Sequence, residues 1–325
     1  MRRMSVSQRL VGLAYCMGLL ASAAHAQSGY PSRPVRLIAP FAPGGPVDVG
    51  ARLLAPKLQE ALGVQVYVEN VPGGSGNIGT AQVAKAPGDG HTVLVISSGF
   101  VVNPSMFKLT YDWEKELAPV SLVGLAPQVI LVHPSVPATN MKELIALVKA
   151  NPGKYSYGSA GLGTPGFLAG EMLRQTFGID LQHVPFQGGG PAVVSTVGGH
   201  TPIVITTISS AAGPLQQGAI RPLAVTSNRR SPALPDVLTL AEQGIDNQES
   251  DVILGVLVPS TTPKDIVDRL HRELVKIVAD PEIKRRLAAV GFEAVGSTPA
   301  EFDARVKTEI AKWAKVIRDA GIAPQ

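Results

Sequence analysis

The sequence predicts an α/β protein built as two lobes, and three observations carry the prediction. Between Val35 and Ile96 short apolar runs alternate with amphipathic helical stretches. The same alternation returns between Tyr155 and Val225. In both segments the strands open into loops rich in Gly, Ser and Asn. Alternating strands and helices argue for parallel sheets with helices on both faces. In such sheets ligands sit beyond the carboxyl ends of the strands. A repeated pattern argues for two similar lobes rather than one continuous sheet.

Met1 to Ala26 has the order of a secretory signal peptide. Arg2, Arg3 and Arg9 form a basic head, Leu10 to Leu20 is an apolar run too short to span a bilayer, and Ala24-His25-Ala26 is a small-x-small cleavage site. Cys16 lies inside the apolar run and does not follow a small residue at the cut, which argues against a lipid anchor. Removing three arginines from 29 basic residues leaves 26 against 25 acidic, so the formal charge of +4 falls to about +1. Nucleic-acid binding thereby loses its electrostatic footprint. Cys16 is the chain's one cysteine, so the mature protein has neither disulfide nor thiol chemistry. A periplasmic location, with cleavage after Ala26, is expected.

Val35 to Ala39 reads as a buried strand. Pro43-Gly44-Gly45-Pro46 makes a turn with few side chains, and Val47 to Leu62 a helix with Leu54, Leu58 and Leu62 on its apolar stripe. Glycine lets a backbone approach a ligand closely, and the following helix adds unpaired N–H groups and the positive end of its dipole. Such a corner is a ready anion site. Val64 to Val68 is the next strand, Thr80 to Ala86 a short helix and Thr92 to Ile96 a third strand, with Ser97 to Asn103 read as a polar loop. Leu117 to Val132, interrupted by Pro127, carries the chain into the second lobe. There Tyr155 to Tyr157, His183 to Phe186, Ile203 to Ile205 and Leu223 to Val225 are strands, and Phe167 to Phe177 is a helix. Val252 to Val258 is the return crossing. Thr298-Pro299-Ala300-Glu301 is a capping box opening the last helix, on which Lys312, Lys315 and Arg318 read as a solvated face. The expected division is 1–26 signal peptide, 27–126 first lobe, 127–252 second lobe, and 253–325 the return to the first lobe with the C-terminal helices.

Gly74-Ser75-Gly76-Asn77-Ile78-Gly79 matches G-x-G-x-x-G between a strand and a helix. A dinucleotide site also wants an acid at the end of the next strand, and that strand ends in Ser97-Ser98. No Gly-x-Ser-x-Gly elbow is present. His91, His133, His183, His200 and His271 show no metal-ligand spacing, and His183 reads as a satisfied core residue. Asp48 is the one carboxylate in the polar loops of the first lobe, so no general acid/base pair is visible. Neither catalytic residues, metal nor cofactor are expected.

What remains is recognition without chemistry. The loops Pro43–Asp48, Gly73–Gly79, Ser97–Asn103, Gly158–Gly166 and Gln187–Pro191 contain no Lys or Arg. They offer backbone N–H groups, hydroxyls, amides and helix N-termini to a small anion held between lobes.

The run Tyr30-Pro31, then Arg36-Leu37-Ile38-Ala39-Pro40-Phe41-Ala42-Pro43-Gly44-Gly45 and Asp48, resembles one family. So do Val68-Glu69-Asn70, Pro72-Gly73-Gly74, Gly76-Asn77-Ile78-Gly79, Asp89-Gly90-His91-Thr92, Asn103-Pro104, Leu223-Ala224-Val225-Thr226-Ser227 and Arg230-Ser231-Pro232-Ala233-Leu234-Pro235-Asp236-Val237. These resemble the Bug-type extracytoplasmic solute receptors of the tripartite tricarboxylate transporter system, over essentially the whole mature chain. The resemblance implies a two-lobed periplasmic binding protein, type II-like, closing as a flytrap on a small carboxylate in the cleft between lobes. It implies membrane permease subunits as partners, a monomer, and no enzyme activity.

Taken together, the loops and the resemblance nominate Phe41, Pro43, Gly44, Gly45 and Asp48 as ligand-binding. Ser75, Asn77, Ser97, Ser98 and Asn103 complete the set in the first lobe. In the second, the nominees are Ser159, Ala160, Gly161, Thr164 and Phe167, with Phe186, Gly188 and Thr206. The resemblance implies a grip on the carboxylate through backbone N–H groups and water, which lets one scaffold accept several acids. Pro46-Val47, Phe167, Thr206 and Ile253 depart from the family's usual residues and concern the rest of the ligand. Two other readings stand beside this one: a sensor reporting to a membrane signalling partner, and an exported α/β hydrolase.

Overall fold

A computed structural model of the chain describes residues 29–41, 43 and 46–324; the expected signal peptide, with Cys16, lies outside the described residues. Strand β1 (Val35–Ala39), helix α1 (Pro46–Leu62), β2 (Val66–Asn70), α2 (Asn77–Ala84), β3 (Thr92–Ile96) and α3 (Gly99–Met106) form the first run. A short α4 (Trp113–Glu116) leads into the long β4 (Leu117–Val132). Then come α5 (Met141–Ala150), β5 (Tyr155–Ser159), α6 (Pro165–Phe177), β6 (Leu181–Pro185), α7 (Gly189–Val197), β7 (Ile203–Thr207), α8 (Ile208–Gln216) and β8 (Arg221–Val225). The chain returns through β9 (Asp251–Pro259), α9 (Lys264–Ala279), α10 (Pro281–Ala289), β10 (Glu293–Ala294) and α11 (Pro299–Asp319). Among the described residues no helix is long and apolar enough to cross a membrane.

The strand order is β2-β1-β3-β9-β4-β7-β5-β6, with β8 and β10 also paired to β4. β1 runs parallel to β2 and β3, and β5 parallel to β6 and β7. The strands of the two halves are not separate, as the repeated pattern suggests, because β4 serves both. Its residues Leu117 to Pro127 pair antiparallel with β9, and Gln128 to Val132 pair with β7. Sixteen residues are long enough to cross from one half to the other. The return point faces the departure point: Pro127 is opposite Asp251.

The covering layers keep the two-lobed character. Leu54 and Leu58 of α1, Leu270 and Leu274 of α9, and Leu287 of α10 pack with Val35, Val93 and Val256 over one face of the first half. Ala192 and Val193 of α7 and Ala211 of α8 pack with Val129, Val204 and Val225 in the second. A third apolar cluster takes residues from both halves, including Leu94, Phe100, Tyr157, Leu168, Phe302 and Trp313. Burying a side chain of this size is worth about 1.5–3 kcal/mol, so the shared cluster holds the halves together, and its members Val102 and Met106 reach the cavity between them. The last helix lies here, opened by the expected capping box of Thr298 and Glu301. It lies so close to β9 that a Cβ on Gly255 would stand 2.1 Å from the Phe302 ring.

Three further expectations are corrected. The second strand starts at Val66, not Val64, because Gly63, at φ 74°, ends α1 and Val66 is the residue opposite Val35. The stretch after β3 is largely helix: the carbonyls of Ser97 and Ser98 accept the N–H groups of Phe100, Val101 and Val102, and burial of Phe100 and Val101 holds the turn. Lys312 is not on a solvated face. Its ammonium donates to the Glu249 carbonyl (2.8 Å) and pairs with Glu309, and lies 4.2 Å from the Trp313 ring centroid.

Candidate functional site

A cavity of about 250 Å³ lies where the two halves meet. Phe41 after β1, Ser75 in the glycine-rich turn, Ser97 and Ser98 after β3, and one face of α3 form one wall. Leu162, Gly163, Thr164 and Pro165, in the loop after β5, form the other, and Val252 of β9 contributes at the junction. The contributing loops lie beyond the carboxyl ends of parallel strands, where α/β sheets present their ligand sites.

Helix α3 meets the cavity with Gly99, Val102, Asn103 and Met106. Their spacing of three and four residues is one face of a helix. Phe100 and Val101, on the other side, enter the core. Asn103 fixes the neighbouring turn: its amide donates to the Ser75 carbonyl (2.9 Å) and to Asn77 Oδ1 (2.8 Å), and the Tyr111 hydroxyl also donates to Asn77 Oδ1 (3.0 Å). The turn carries strain, since Ser75 has φ 55° and ψ 31°, a left-handed conformation uncommon outside glycine. In the opposite wall Thr164 caps α6. Its hydroxyl accepts the Phe167 N–H and donates to the Gly161 carbonyl (2.7 Å). Pro165 occupies the first helical turn. Gly166 follows because a Cβ there would lie 2.3 Å from the Ile205 carbonyl oxygen.

Among the described residues no Lys, Arg, His, Asp or Glu lines the cavity. Positive potential comes instead from helix N-termini: α3 begins at Gly99 and α6 at Pro165, one from each half, and residues at both starts are on the wall. A helix N-terminus carries roughly half a positive charge, and in a site shielded from water such fixed dipoles attract an anion. Asp48, buried in the first turn of α1, is held by Asn70 Nδ2 (2.9 Å) and paired with Arg52 (3.0 Å). Asn70 also donates to the Phe41 carbonyl (3.1 Å), so this network positions the loop that carries Phe41.

Of the nominated residues, Phe41, Ser75, Ser97, Ser98, Asn103 and Thr164 are brought together on the wall. Pro43 is exposed and is not on it. Gly44 and Gly45 lie outside the described residues. Asp48 and Asn77 stand behind the wall as its supports. Ser159, Ala160, Gly161, Phe167, Phe186, Gly188 and Thr206 are not on it either. Gly161 is adjacent to it, Phe186 sits over Gly158, and Thr206 lies beside Gly189. Phe167 is buried against the His183 ring, with centroids 4.6 Å apart.

Ser159 and His183 form a pair invisible in the sequence, Oγ to Nε2 at 2.8 Å. Ser159 is fully buried, and its hydroxyl also contacts the Gly161 N–H and carbonyl. Burial holds the imidazole below its ordinary value, against a smaller opposing effect of Glu171 and with a further lowering by Arg174. The pair shapes the loop before α6 and offers no hydroxyl to the cavity. Among the described residues no cluster of three or more His, Cys, Asp and Glu could hold a metal.

Sequence reasoning did not nominate Gly99, Val102, Met106, Phe107, Leu162, Gly163, Pro165 or Val252. Reading the segment after β3 as polar loop hid Val102 and Met106, although their helical spacing is visible in the sequence. Leu162 lies in the loop Gly158–Gly166 already read as a recognition loop, though its apolar side chain was not singled out; nothing local marks Val252, which reaches the cavity through the meeting of the halves.

Residues 50–322 match the model of the family described as tripartite tricarboxylate transporter family receptor. Protein BugT of Bordetella pertussis is 35% identical over 298 residues, which is 90% of this chain and 90% of that protein. The structure of periplasmic binding protein BugD superposes with a TM-score of 0.74 at 35% identity, covering 91% of this chain and 100% of that one. The R. palustris protein Rpa4515, solved with adipate, superposes with a TM-score of 0.78 at 32% identity, covering 91% and 100%.

Proposed function

The chain belongs to the tripartite tricarboxylate transporter receptor family, and from that premise we propose that it captures a small carboxylate in the cleft described above and delivers it to the membrane permease of such a transporter. The observation that carries this reading is the meeting of two helix N-termini, those of α3 and α6, at one cavity that no charged side chain among the described residues lines. Such a site attracts an anion and offers no group to attack it.

In this reading the first lobe is 27–126, the second 127–252, and 253–325 returns to the first. The crossings at Pro127 and Asp251 are the hinge. Phe41, Ser75, Ser97 and Thr164 face the ligand. Ser98, Asn103, Asp48 and Asn77 shape the wall, and Gly44 and Gly45 bring backbone N–H groups to the carboxylate. Ser159, Ala160, Gly161, Phe167, Phe186, Gly188 and Thr206 border the second-lobe side, which closure brings nearer. The protein acts as a monomer in the periplasm after cleavage at Ala26. It is read as a receptor and not an enzyme: neither Ser159 nor His183 of the hydrogen-bonded pair lines the cavity.

Native mass spectrometry of the purified mature protein, followed by calorimetry on refolded protein, tests the proposal. A co-purifying small acid that rebinds and is returned unchanged is the expected result. Conversion of that acid would replace the receptor by an enzyme. Capture of a membrane kinase rather than a permease, in pull-downs with and without ligand, would favour the sensor reading.

A further inference from the structure

We infer that the ligand of this cleft is a monocarboxylate with an apolar body rather than a dicarboxylate; the inference rests on the carboxylate-receptor reading and narrows it. The polar and apolar groups of the cavity are unequally available. Of the five lining residues with polar side chains, three are already engaged. Ser98 Oγ bonds to Asp251 and Ile253, the Asn103 amide to Ser75 and Asn77, and Thr164 Oγ1 to Gly161 and Phe167. Only the hydroxyls of Ser75 and Ser97 remain without a partner among the described residues.

The remaining surface is hydrocarbon. Val102 and Met106, core residues of α3 that also line the cavity, Phe107 after it, and Leu162 on the opposite loop make its apolar walls. Leu162 is 57% exposed. A large apolar side chain held out into a cleft is covered only when something apolar lies against it. One anionic group at the helix N-termini and a hydrocarbon body against α3 and Leu162 use both parts of the cavity. A second carboxylate at the far end of the ligand would lie against Met106, Phe107 and Leu162, with no cation and few free donors, and burying an unpaired charge is costly. At about 250 Å³ the cavity suits a compact acid with an aromatic ring or short chain.

The test compares acids that differ only in the second carboxylate: hexanoate against adipate and benzoate against terephthalate, by calorimetry on ligand-stripped mature protein. At least one monocarboxylate should bind tenfold more tightly than its diacid. Leu162→Arg, at an exposed position that leaves the core intact, adds a cation to the apolar wall. It should shift the adipate-to-hexanoate preference at least tenfold toward adipate. Diacids that match or exceed their monoacids in the native protein would overturn the inference while leaving the carboxylate receptor standing. Binding of neither class would remove both.

Discussion

The Ser98 hydroxyl donates to the main-chain carbonyl of Asp251 (3.0 Å), a residue 153 positions later in the chain, and accepts the N–H of Ile253 (2.9 Å). Ser98 is 2% exposed. One side chain at the end of β3 thus fixes the start of β9 where the chain comes back from the second half. Ser98→Ala leaves a buried carbonyl and a buried N–H without this partner. The expected loss is about 1–3 kcal/mol of unfolding free energy, measured by urea denaturation. An unchanged midpoint and slope would show that the tie contributes nothing.

Asp251 itself predicts a pH effect. Burial pushes its carboxyl up to about 6; Arg305 opposes this, Glu309 adds to it, Lys312 opposes it, and Glu293 adds to it. The folded protein therefore holds the proton more tightly than the unfolded chain. The resulting stabilisation is complete below about pH 4 and is lost as pH rises through about 6, by at most about 3 kcal/mol. Asp251→Asn removes the charge, so its stability relative to the native protein should improve from pH 4 to pH 6 and then level off. Urea unfolding of both proteins at several pH values checks the sign. An advantage that shrinks on raising the pH would contradict it.

The crossing strands predict a domain motion. β4 and β9 are the two connections through which the halves are hinged in the proposed reading, and Pro127 faces Asp251 at the crossing. Hinge closure around a ligand brings the lobes together. Small-angle scattering of the ligand-stripped protein should show a smaller radius of gyration once a tight-binding acid is added. The same radius in both states would argue against a hinge that opens in solution.

A paired substitution separates a backbone cradle from a guanidinium clamp. Arg36 donates to Thr92 Oγ1 (3.1 Å) and pairs with Glu69 (3.4 Å), so its cation is engaged within the sheet. Arg36→Ala should leave ligand affinity nearly unchanged. Gly45→Val adds bulk where, in the proposed reading, the backbone is to meet the carboxylate. It should weaken binding at least tenfold, about 1.4 kcal/mol, with a normal melting curve. The reverse pattern in calorimetry would transfer the anion to the guanidinium.

Alternation of strand and helix, the long apolar run from Leu117 to Val132, the capping box at Thr298 and the uncharged glycine-rich loops were all legible in the sequence, along with the family resemblance. These are local signals: period, cap chemistry and turn residues act over a few positions. Which groups remain available to a ligand was decided by tertiary structure alone. Ser98, Asn103 and Thr164 look alike in the sequence as polar loop residues, yet each hydroxyl or amide is taken up by a partner within the protein. Val102 and Met106 look like core and are buried in it, yet they also line the cavity. The merging of the two halves through one strand, and the seating of Lys312 against Glu249 and Trp313, were equally hidden. Hydrogen-bond partners and exposed faces depend on residues brought together from far apart in the chain, and periodicity carries no record of those distances.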